Sequence, residues 1–168
     1  MASFDFTSKP SGLWKAFLGA PTWIFRAHLG FVFGNRFLMI EHHGRKSQKP
    51  YRTTLEVAGR NPDKHEWIVT SGTGPKADWY QNIKAGGVDA VWIGSSRTPA
   101  DLRFLEAEEA GAVFAQYEHD HGKAAVKLMD MMGVSYDGTD AGRIDMMTQI
   151  PMVAFIPAAE PSASGPQT

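Results

Sequence analysis

The fold is decided by residues 36–58, which read RFLMIEHHGRKSQKPYRTTLEVA. Residues 36–43 are mostly apolar on both alternating faces, and this pattern predicts a strand that is buried on both sides, as in a barrel. Residues 51–58 are rich in Thr, Leu and Val, so they predict a second strand. A glycine and several charged residues separate the two segments, which predicts a hairpin with a basic turn at residues 44–50.

The rest of the chain adds further strands and helices to this hairpin. A connection rich in turn residues is expected at 59–63, and apolar runs predict strands at 65–71, 88–93, 97–105 and 150–156. Helical patterns predict helices at 77–85, 106–117, 123–132 and 140–147. About six mostly antiparallel strands with helices set to the ends predict an α+β fold, a small barrel with appended helices. We expect one domain over residues 11–157, a flexible N-terminus at 1–10 and a disordered tail at 158–168.

The composition is that of an ordinary globular protein, because 43% of the 168 residues are hydrophobic and 21% are charged. The formal net charge is -1, so the chain lacks the overall basic surface that drives binding to nucleic acid. Cysteine is absent, which excludes disulfides, thiolate nucleophiles and Cys-ligated zinc or iron–sulfur clusters. These properties fit a protein of the reducing cytosol.

The segment at residues 12–33 is apolar and aromatic, but charged residues and Pro21 interrupt it. It predicts two short amphipathic helices, which either pack on the core or lie on a membrane surface that carries a lipophilic substrate. Packing on the core is the simpler expectation. The sequence shows no run as long as a membrane span and no secretory signal. We therefore expect a cytoplasmic protein, with peripheral membrane association as the alternative.

The basic turn is the first candidate binding site. Gly44, Arg45, Lys46 and Ser47 combine a glycine, two fixed positive charges and a hydroxyl, so that backbone N–H groups and cationic side chains converge on one anion. The simpler interpretation is a solvated hairpin tip. The position of Arg52 just beyond the turn, and the small number of acidic residues nearby in the sequence, favour the anion site.

A glycine-rich bend is the second candidate. Residues 71–82 read SGTGPKADWYQN, a bend followed by a short helix that carries Trp79 and Tyr80 in its first turns. Such a bend brings bare backbone close to a flat ligand and points a helix N-terminus at negative charge. A dinucleotide-binding fold fits poorly, because only one strand–helix–strand unit is present and Asp89 begins the next strand instead of ending it. The turn and the bend together predict a site for a ring-bearing, anionic cofactor.

The histidines do not predict a metal site. His42 and His43 are consecutive on a strand, so their side chains point to opposite faces. His119 and His121 lie at the end of a predicted helix, where they complement the helix dipole.

A series of short motifs occurs in collinear order over roughly residues 22–157. The motifs are Leu29-Gly30-Phe31-x-Phe33-Gly34-x-Arg36, His43-Gly44-Arg45-Lys46-Ser47, Arg52-Thr53-x-Leu55-Glu56-Val57, Ser71-Gly72-x-Gly74, Asp78-Trp79-Tyr80-x-Asn82, Tyr136-Asp137-Gly138-Thr139-Asp140 and Pro151-Met152-Val153-Ala154. Together they resemble the deazaflavin-dependent nitroreductase (quinone reductase) family. The resemblance implies a split β-barrel of the flavin-reductase type. It also implies binding of the reduced deazaflavin coenzyme F-420 and hydride transfer to a lipophilic quinone, nitro compound or activated C=C bond.

The family motifs also imply roles for individual residues. The phosphate and tail carboxylates of the coenzyme would be held by Arg45, Lys46 and Ser47. The deazaflavin ring would be lined by the backbone of Ser71, Gly72, Thr73 and Gly74. Support for this loop and for the cofactor would come from Trp79, Tyr80 and Asn82. Apart from these family roles, Tyr136 is a candidate proton donor or pocket wall.

Three positions depart from the family pattern. Gln48 stands where the family usually has glycine, Tyr51 where it usually has arginine, and Thr73 where many relatives have an aromatic residue. Arg52 can replace the missing arginine only if a bulge or twist turns it toward the site, because a one-residue step along a strand reverses the face. We expect such a bulge.

Two other functions stay open at this point. One is an oxidoreductase of the same fold that binds flavin mononucleotide (FMN), and the other is a non-catalytic carrier of the cofactor or of a lipophile. The expected partner is a small lipophilic substrate, and the oligomeric state is left open between monomer and homodimer.

Overall fold

The computed structural model describes residues 36–122 and 136–158. Within them, seven strands form one sheet. The strands are β1 (Phe37–His43), β2 (Pro50–Asn61), β3 (Glu66–Thr70), β4 (Ala90–Ile93), β5 (Ser96–Thr98), β6 (Ala100–Phe104) and β7 (Met152–Pro157). The helices that accompany them are α1 (Asp78–Gly86), α2 (Ala107–His121) and α3 (Asp140–Gln149).

The strand order in the sheet is β5-β4-β1-β2-β3-β7-β6. The hairpin of β1 and β2 therefore lies at the centre, and all pairings between neighbours are antiparallel. The sheet curls into a half-barrel with helices around it, so the predicted α+β split barrel is confirmed.

The core lies on both faces of the sheet. One cluster joins Leu38, Ile40 and Phe155 to Tyr80 and Ile83 of α1, and each of these side chains is buried. The second cluster covers the other face and joins the sheet to α2 and α3; its buried members include Ile68, Phe114, Tyr117, Met146, Ile150 and Met152. Alternating residues of β3 and β7 thus face opposite clusters, as the pleat of a strand buried on both sides requires.

A partly buried charged network ties α2 to the sheet. The Arg103 guanidinium of β6 donates to the Glu66 carboxylate of β3 at 2.6 and 2.9 Å, and to the Glu109 carboxylate of α2 at 2.7 and 2.6 Å. Glu66 is only 3% exposed. The hydrogen bonds from Arg103 to Glu109 and Glu66 raise the pKa of the guanidinium, which therefore stays charged. Sequence patterns did not indicate this network, because Glu66 lies 37 residues from Arg103 in the chain.

The segment 97–105 forms two strands, so the single strand predicted there is wrong. β5 pairs with β4 at one edge of the sheet, and β6 pairs with β7 at the other edge. Pro99 lies between them and has no N–H group for a ladder hydrogen bond, so the first strand ends before it. Because two residues span at most about 7 Å, the two edges must lie close together here, which is how the curled sheet approaches closure.

β2 is longer than predicted, and the connection expected at 59–63 begins later. The strand runs to Asn61, whose side chain accepts a hydrogen bond from the Lys64 N–H and caps the 3-10 turn Pro62–Lys64. The register of β2 shifts between Val57 and Gly59. A Cβ atom on Gly59 would lie 2.8 Å from Val113 Cγ1 of α2, so the glycine allows α2 to pack closely on the strand.

The remaining predicted elements of the described residues are confirmed within a few residues, although α2 continues past position 117 to His121. Other predictions concern residues that the structure does not describe: the N-terminus at 1–10, the helices at 12–33, the helix at 123–132 and nearly all of the tail. Among the described residues, no helix combines the length and the apolar character needed to cross a membrane.

Candidate functional site

Helix α1 links the basic turn to the glycine bend. The turn follows β1, which ends opposite Pro50 at the start of β2, whereas the bend follows β3, which ends near Val57 in the middle of β2. The strand ends alone therefore do not bring the two segments together. α1 begins directly after the bend, and Arg45 of the turn donates to Asp78, the first residue of that helix, at 3.1 Å.

The backbone of the basic turn is closed by its own hydrogen bonds. The Gly44 N–H donates to the Lys49 carbonyl at 2.9 Å, and the Gln48 N–H donates to the Gly44 carbonyl at 2.8 Å. Gln48 has a φ of 55°, in the left-handed region where glycine carries no steric cost. This conformation explains why glycine suits position 48 in the family.

Gly44 is required by the packing of the turn. A Cβ atom on this residue would lie 2.6 Å from Ser47 Oγ and 2.8 Å from Tyr51 Cε2. Both distances are shorter than any non-bonded contact that a real Cβ atom makes, so a side chain here would push the turn off the strand. The glycine lets the Tyr51 ring pack against the turn.

Arg45 is fastened to helix α1. Its backbone N–H donates to Asn82 Oδ1 at 3.1 Å, and its Nη1 donates to Asn82 Oδ1 at 2.9 Å and to Asp78 Oδ1 at 3.1 Å. The expectation that few acids neutralise the turn is therefore wrong for Arg45, because Asp78 forms an ion pair with it. No pattern near the turn indicates this pairing, because Asp78 lies 33 residues from Arg45 in the chain.

Lys46 and Lys49 are the cations of the turn for which the described residues show no acidic partner. Lys46 is exposed, and within the described part of the chain no acidic group pairs with it. Ser47 Oγ accepts a hydrogen bond from the Lys49 N–H at 3.3 Å. The turn thus presents Lys46 and Lys49 to an approaching anion, while Arg45 is held against α1.

The glycine bend is a compact hydrogen-bonded loop. The Ser71 hydroxyl is fully buried and donates to the Gly74 carbonyl at 2.7 Å, while the Gly74 N–H donates to the Ser71 carbonyl at 2.8 Å. Gly74 has a φ of 76°, which favours glycine there. The N–H groups of Gly72 and Thr73 donate to no acceptor among the described residues, so the bend has two backbone donors for a ligand.

The residues after the bend are mainly structural anchors. Tyr80 is 7% exposed, and its ring packs edge-on against Trp79 and Phe104 at centroid distances of 5.8 and 5.3 Å. Asn82 is 6% exposed and contacts the basic turn, as described above. The cofactor contacts predicted for Trp79, Tyr80 and Asn82 stay predictions, but the geometry shows Asn82 supporting the turn.

Tyr51 and Arg52 lie on opposite faces of β2. Tyr51 is opposite His42 in the β1–β2 ladder, and the two rings stack with centroids 6.0 Å apart. Arg52 is opposite Glu41, and its Nη2 lies 2.8 Å from Glu41 Oε1. The ladder is continuous from Phe37 to His43, so the bulge expected near Arg52 is absent there, and the register shift of β2 lies beyond it.

Glu41 forms ion pairs with two arginines, Arg52 and Arg97, on the face of the sheet that carries Arg52. Arg97 donates to its carboxylate at 2.8 and 2.6 Å, and Trp92 Nε1 donates at 2.9 Å. Burial alone would raise the pKa of Glu41, but the hydrogen bonds from Arg97 and Trp92 and the charges of Arg97 and Arg52 lower it. Arg52 is therefore engaged by this carboxylate, and its side chain points away from the face that Tyr51 and the turn share.

A cleft of about 530 Å³ opens beside the turn, lined by Glu41, His42, His43, Pro50, Tyr51, Arg52, Asp89 and Arg97. His42 is 2% exposed, and its Nε2 shares a hydrogen bond of 3.1 Å with Thr53 Oγ1. Burial lowers the pKa of the His42 imidazole, and the backbone of His43 and the Asp89 carboxylate oppose this only in part. His43 instead is exposed and pairs with Asp89 at 2.9 Å. The two histidines point to opposite faces, as predicted.

Tyr136 is not brought together with the turn and the bend. It packs against the core cluster that α2 and α3 form on the other face of β3 and β7, and its hydroxyl donates to Glu118. Burial and the hydrogen bond to Glu118 raise the pKa of Tyr136, and the Arg143 guanidinium lies 5.7 Å from the centre of its ring. The proposed proton-donor role of Tyr136 therefore has no geometric support from the described residues.

The sheet topology defines a split-barrel protein, and the basic turn and the backbone donors of the bend form a candidate site for an anionic ligand. Residues 24–129 match the model of the family described as F420H(2)-dependent quinone reductase, and the chain belongs to that family. The prediction of a reduced deazaflavin cofactor is confirmed by this membership, and the protein is an oxidoreductase of the F-420-dependent class. A comparison with curated proteins finds no match.

The solved structures that are similar to this chain share little sequence with it. One is described as an F420-H2 dependent reductase (FDR-A); it is 19% identical, covers 73% of this chain and 95% of its own, and has a TM-score of 0.48. Another, described as a domain-swapped dimer, is 18% identical and covers 86% of this chain and 99% of its own, with a TM-score of 0.49. A third is described as a pyridoxamine 5'-phosphate oxidase-related, FMN-binding protein from Nostoc punctiforme. It is 13% identical and covers 91% of this chain and 83% of its own, with a TM-score of 0.42. The family assignment rests on the family model, not on these likenesses.

Proposed function

We propose that this protein transfers a hydride from reduced coenzyme F-420 to a lipophilic quinone, with nitro compounds and activated C=C bonds as further substrates. The observation that carries the proposal is the convergence of the basic turn and the glycine bend on helix α1. Arg45 of the turn contacts Asp78, the first residue of the helix that the bend opens. A single ligand can therefore contact both segments.

The residues present fit an anionic, ring-bearing cofactor. Lys46 offers a positive charge that no described acid neutralises, and a charge-assisted contact to a phosphate or carboxylate is among the stronger hydrogen bonds. The N–H groups of Gly72 and Thr73 offer two backbone donors without competing protein acceptors in the described chain. These are the donors that a flat ring with polar edges and a charged tail requires.

The chemistry divides between the cofactor and the chain. When bound, the reduced deazaflavin supplies the hydride. Lys46 and Lys49 hold the anionic part of the ligand, and the backbone of the bend orients its ring edge through the Gly72 and Thr73 donors. The buried Ser71 hydroxyl keeps the bend in one conformation through its hydrogen bond to Gly74. Such preorganised donors do not have to reorient while charge develops on the acceptor.

Binding and turnover test the proposal separately. The purified protein is titrated with oxidised coenzyme F-420 by fluorescence, with FMN in a parallel titration, and oxidation of the reduced coenzyme is then followed with a panel of quinones. We expect F-420 to bind more tightly than FMN and a quinone to be reduced. Tighter binding of FMN would favour the flavin alternative, and tight F-420 binding without turnover of any acceptor would favour a carrier.

The contribution of Lys46 is measured against a matched lysine. Lys46→Ala removes one charge-assisted contact worth about 1.5 kcal/mol, so affinity for F-420 should fall roughly tenfold. Lys64 in the 3-10 turn is also exposed and lies at the opposite end of β2. Lys64→Ala serves as the control and should leave binding unchanged. Equal effects of the two variants would show that the turn acts only through overall charge.

A further inference from the structure

We propose that Arg45 is a positioning residue and not the direct ligand of the anion. In this inference, Asp78 and Asn82 hold Arg45 on helix α1, and this network of three side chains orients the turn so that Lys46 and the turn backbone contact the anion. The inference rests on the proposed function, because it assigns roles within the same site. It also gives a role to Asp78, which the sequence patterns did not suggest.

The contacts of Arg45 carry the argument. Asn82 Oδ1 accepts from both the Arg45 N–H and Arg45 Nη1, at 3.1 and 2.9 Å. The same Nη1 also lies 3.1 Å from Asp78 Oδ1 and 3.5 Å from the Asp78 carbonyl. One guanidinium nitrogen thus already serves three acceptors with its two hydrogens. Its ion pair with Asp78 also offsets part of the charge that would attract an anion.

The burial of Asn82 shows that the network is part of the framework. The residue is 6% exposed, and among the described residues Arg45 is the group that satisfies its side-chain oxygen. A buried polar atom that loses its partner is costly, so the helix and the turn hold each other in place. Lys46 is the next residue after Arg45, so the direction of its side chain depends on this attachment.

Asp78 connects the turn to the bend. It is the first residue of α1 and follows the bend directly, so a contact from Arg45 to Asp78 fixes the distance between the two halves of the site. A ligand that spans both halves is then sensitive to the network even where it does not touch it. This predicts that a neutral substitution at a buried residue will weaken the binding of a charged ligand.

The decisive variant is Asn82→Ala, which changes no charge. We expect affinity for oxidised coenzyme F-420 to fall about tenfold while the dependence of the dissociation constant on salt stays that of the parent. Lys46→Ala should instead weaken binding and reduce the salt dependence. The double variant Arg45→Ala with Asn82→Ala should bind no more weakly than the weaker single variant, because both changes break the same network. Lys84→Gln, on an exposed position of the last turn of α1, is the control for helix substitutions.

A second measurement uses the protein without any cofactor. The Arg45 amide donates to Asn82 Oδ1, so its hydrogen exchange should be at least tenfold faster in Asn82→Ala than in the parent. Asn82→Asp keeps an acceptor at this position and should restore part of the protection. If Asn82→Ala does not fold, Asn82→Asp and the parent are compared instead. Slow hydrogen exchange of the Arg45 amide in both proteins would support the network. Fast exchange of this amide in the parent would overturn it.

The outcomes separate this inference from the proposed function. Parent-like F-420 binding by Asn82→Ala, together with weak and less salt-dependent binding by Arg45→Ala, would show that Arg45 contacts the ligand directly and would overturn the inference. Failure of the parent to bind F-420 would instead contradict the proposed function. In that case the exchange of the Arg45 amide would still show whether the network exists in solution.

Discussion

Tyr51 and Arg52 give opposite predictions for the coenzyme tail, and the structure shows which of the two side chains lies on the same face as the basic turn. Tyr51 shares its face with His42 and packs on the turn at Gly44, whereas Arg52 pairs with Glu41 on the other face. Position 51 is where the family usually has an arginine. We therefore expect Tyr51→Arg to strengthen the binding of coenzyme F-420, and Arg52→Ala to leave it nearly unchanged.

The magnitudes follow from exposure and partners. Tyr51 is 47% exposed, so solvent weakens a new charge-assisted hydrogen bond at this position. We expect it to contribute about 1 kcal/mol to the binding free energy, or roughly fivefold in affinity. The pair of Arg52 with Glu41 is 2.8 Å long, but 44% of the Arg52 side chain is exposed. Its loss should lower the free energy of unfolding by at most about 1 kcal/mol. Arg97 remains on Glu41, so that carboxylate keeps a partner.

The assay is a fluorescence titration of oxidised coenzyme F-420 at low and high salt with the parent and the two variants. Tyr51→Arg should gain affinity mainly at low salt, because an exposed charge is screened. A control, Tyr51→Phe, separates the new charge from loss of the phenol. If Arg52→Ala weakens binding as much as Lys46→Ala does, Arg52 reaches the ligand, and the assignment of Tyr51 and Arg52 to opposite faces of the site is refuted.

Three further outcomes follow from particular contacts. Arg103→Met should lower the free energy of unfolding by about 3 kcal/mol in urea, because it leaves Glu66 buried without its partner, and adding Glu66→Gln should recover a large part of that loss. Because burial lowers the pKa of His42 below the unfolded value of 6.5, the unfolded state binds more protons there. The contribution of His42 to the free energy of unfolding should therefore be complete above pH 6.5 and be lost as the pH falls to the lower pKa of the folded state, by at most about 1.4 kcal/mol per pH unit. His42→Gln should remove this dependence on pH from the free energy of unfolding measured in urea. Gln48→Gly relieves a φ of 55° and should raise the unfolding free energy by up to about 1 kcal/mol despite the greater freedom of glycine when unfolded; a loss of stability would show that the side chain of Gln48 is more important than its backbone.

The central hairpin and the two halves of the site could be predicted from the sequence because their signals are local. An apolar strand, a glycine with charges, and a second strand predict a hairpin without any long-range information. The split of residues 97–105 into β5 and β6 could not be predicted in the same way. It depends on two edges of the sheet coming together, and a single proline is compatible with several alternatives.

The roles of individual cations were harder to predict because charge on a side chain is not the same as charge available to a ligand. Arg45, Lys46 and Arg52 look equivalent in the sequence, yet Arg45 is paired with Asp78 and Arg52 with Glu41. The acid that neutralises Arg45 lies 33 residues away in the chain, so no window around the turn reveals it.

The groups that are available to bind an anion are those that are not already engaged with other side chains. Pairing with Asp78 and with Glu41 reduces the attraction of Arg45 and Arg52 for an anion, and Tyr51 supplies a ring where relatives place a further cation. Lys46, Lys49 and the backbone donors of the bend are then left to bind the ligand. We expect each additional negative charge on the tail of a ligand to raise its affinity for such a site only a little. The reason is that the site has several hydrogen-bond donors but few unpaired cations. We therefore expect its selectivity to depend more on the fit of the ring at the bend than on the length of the charged tail.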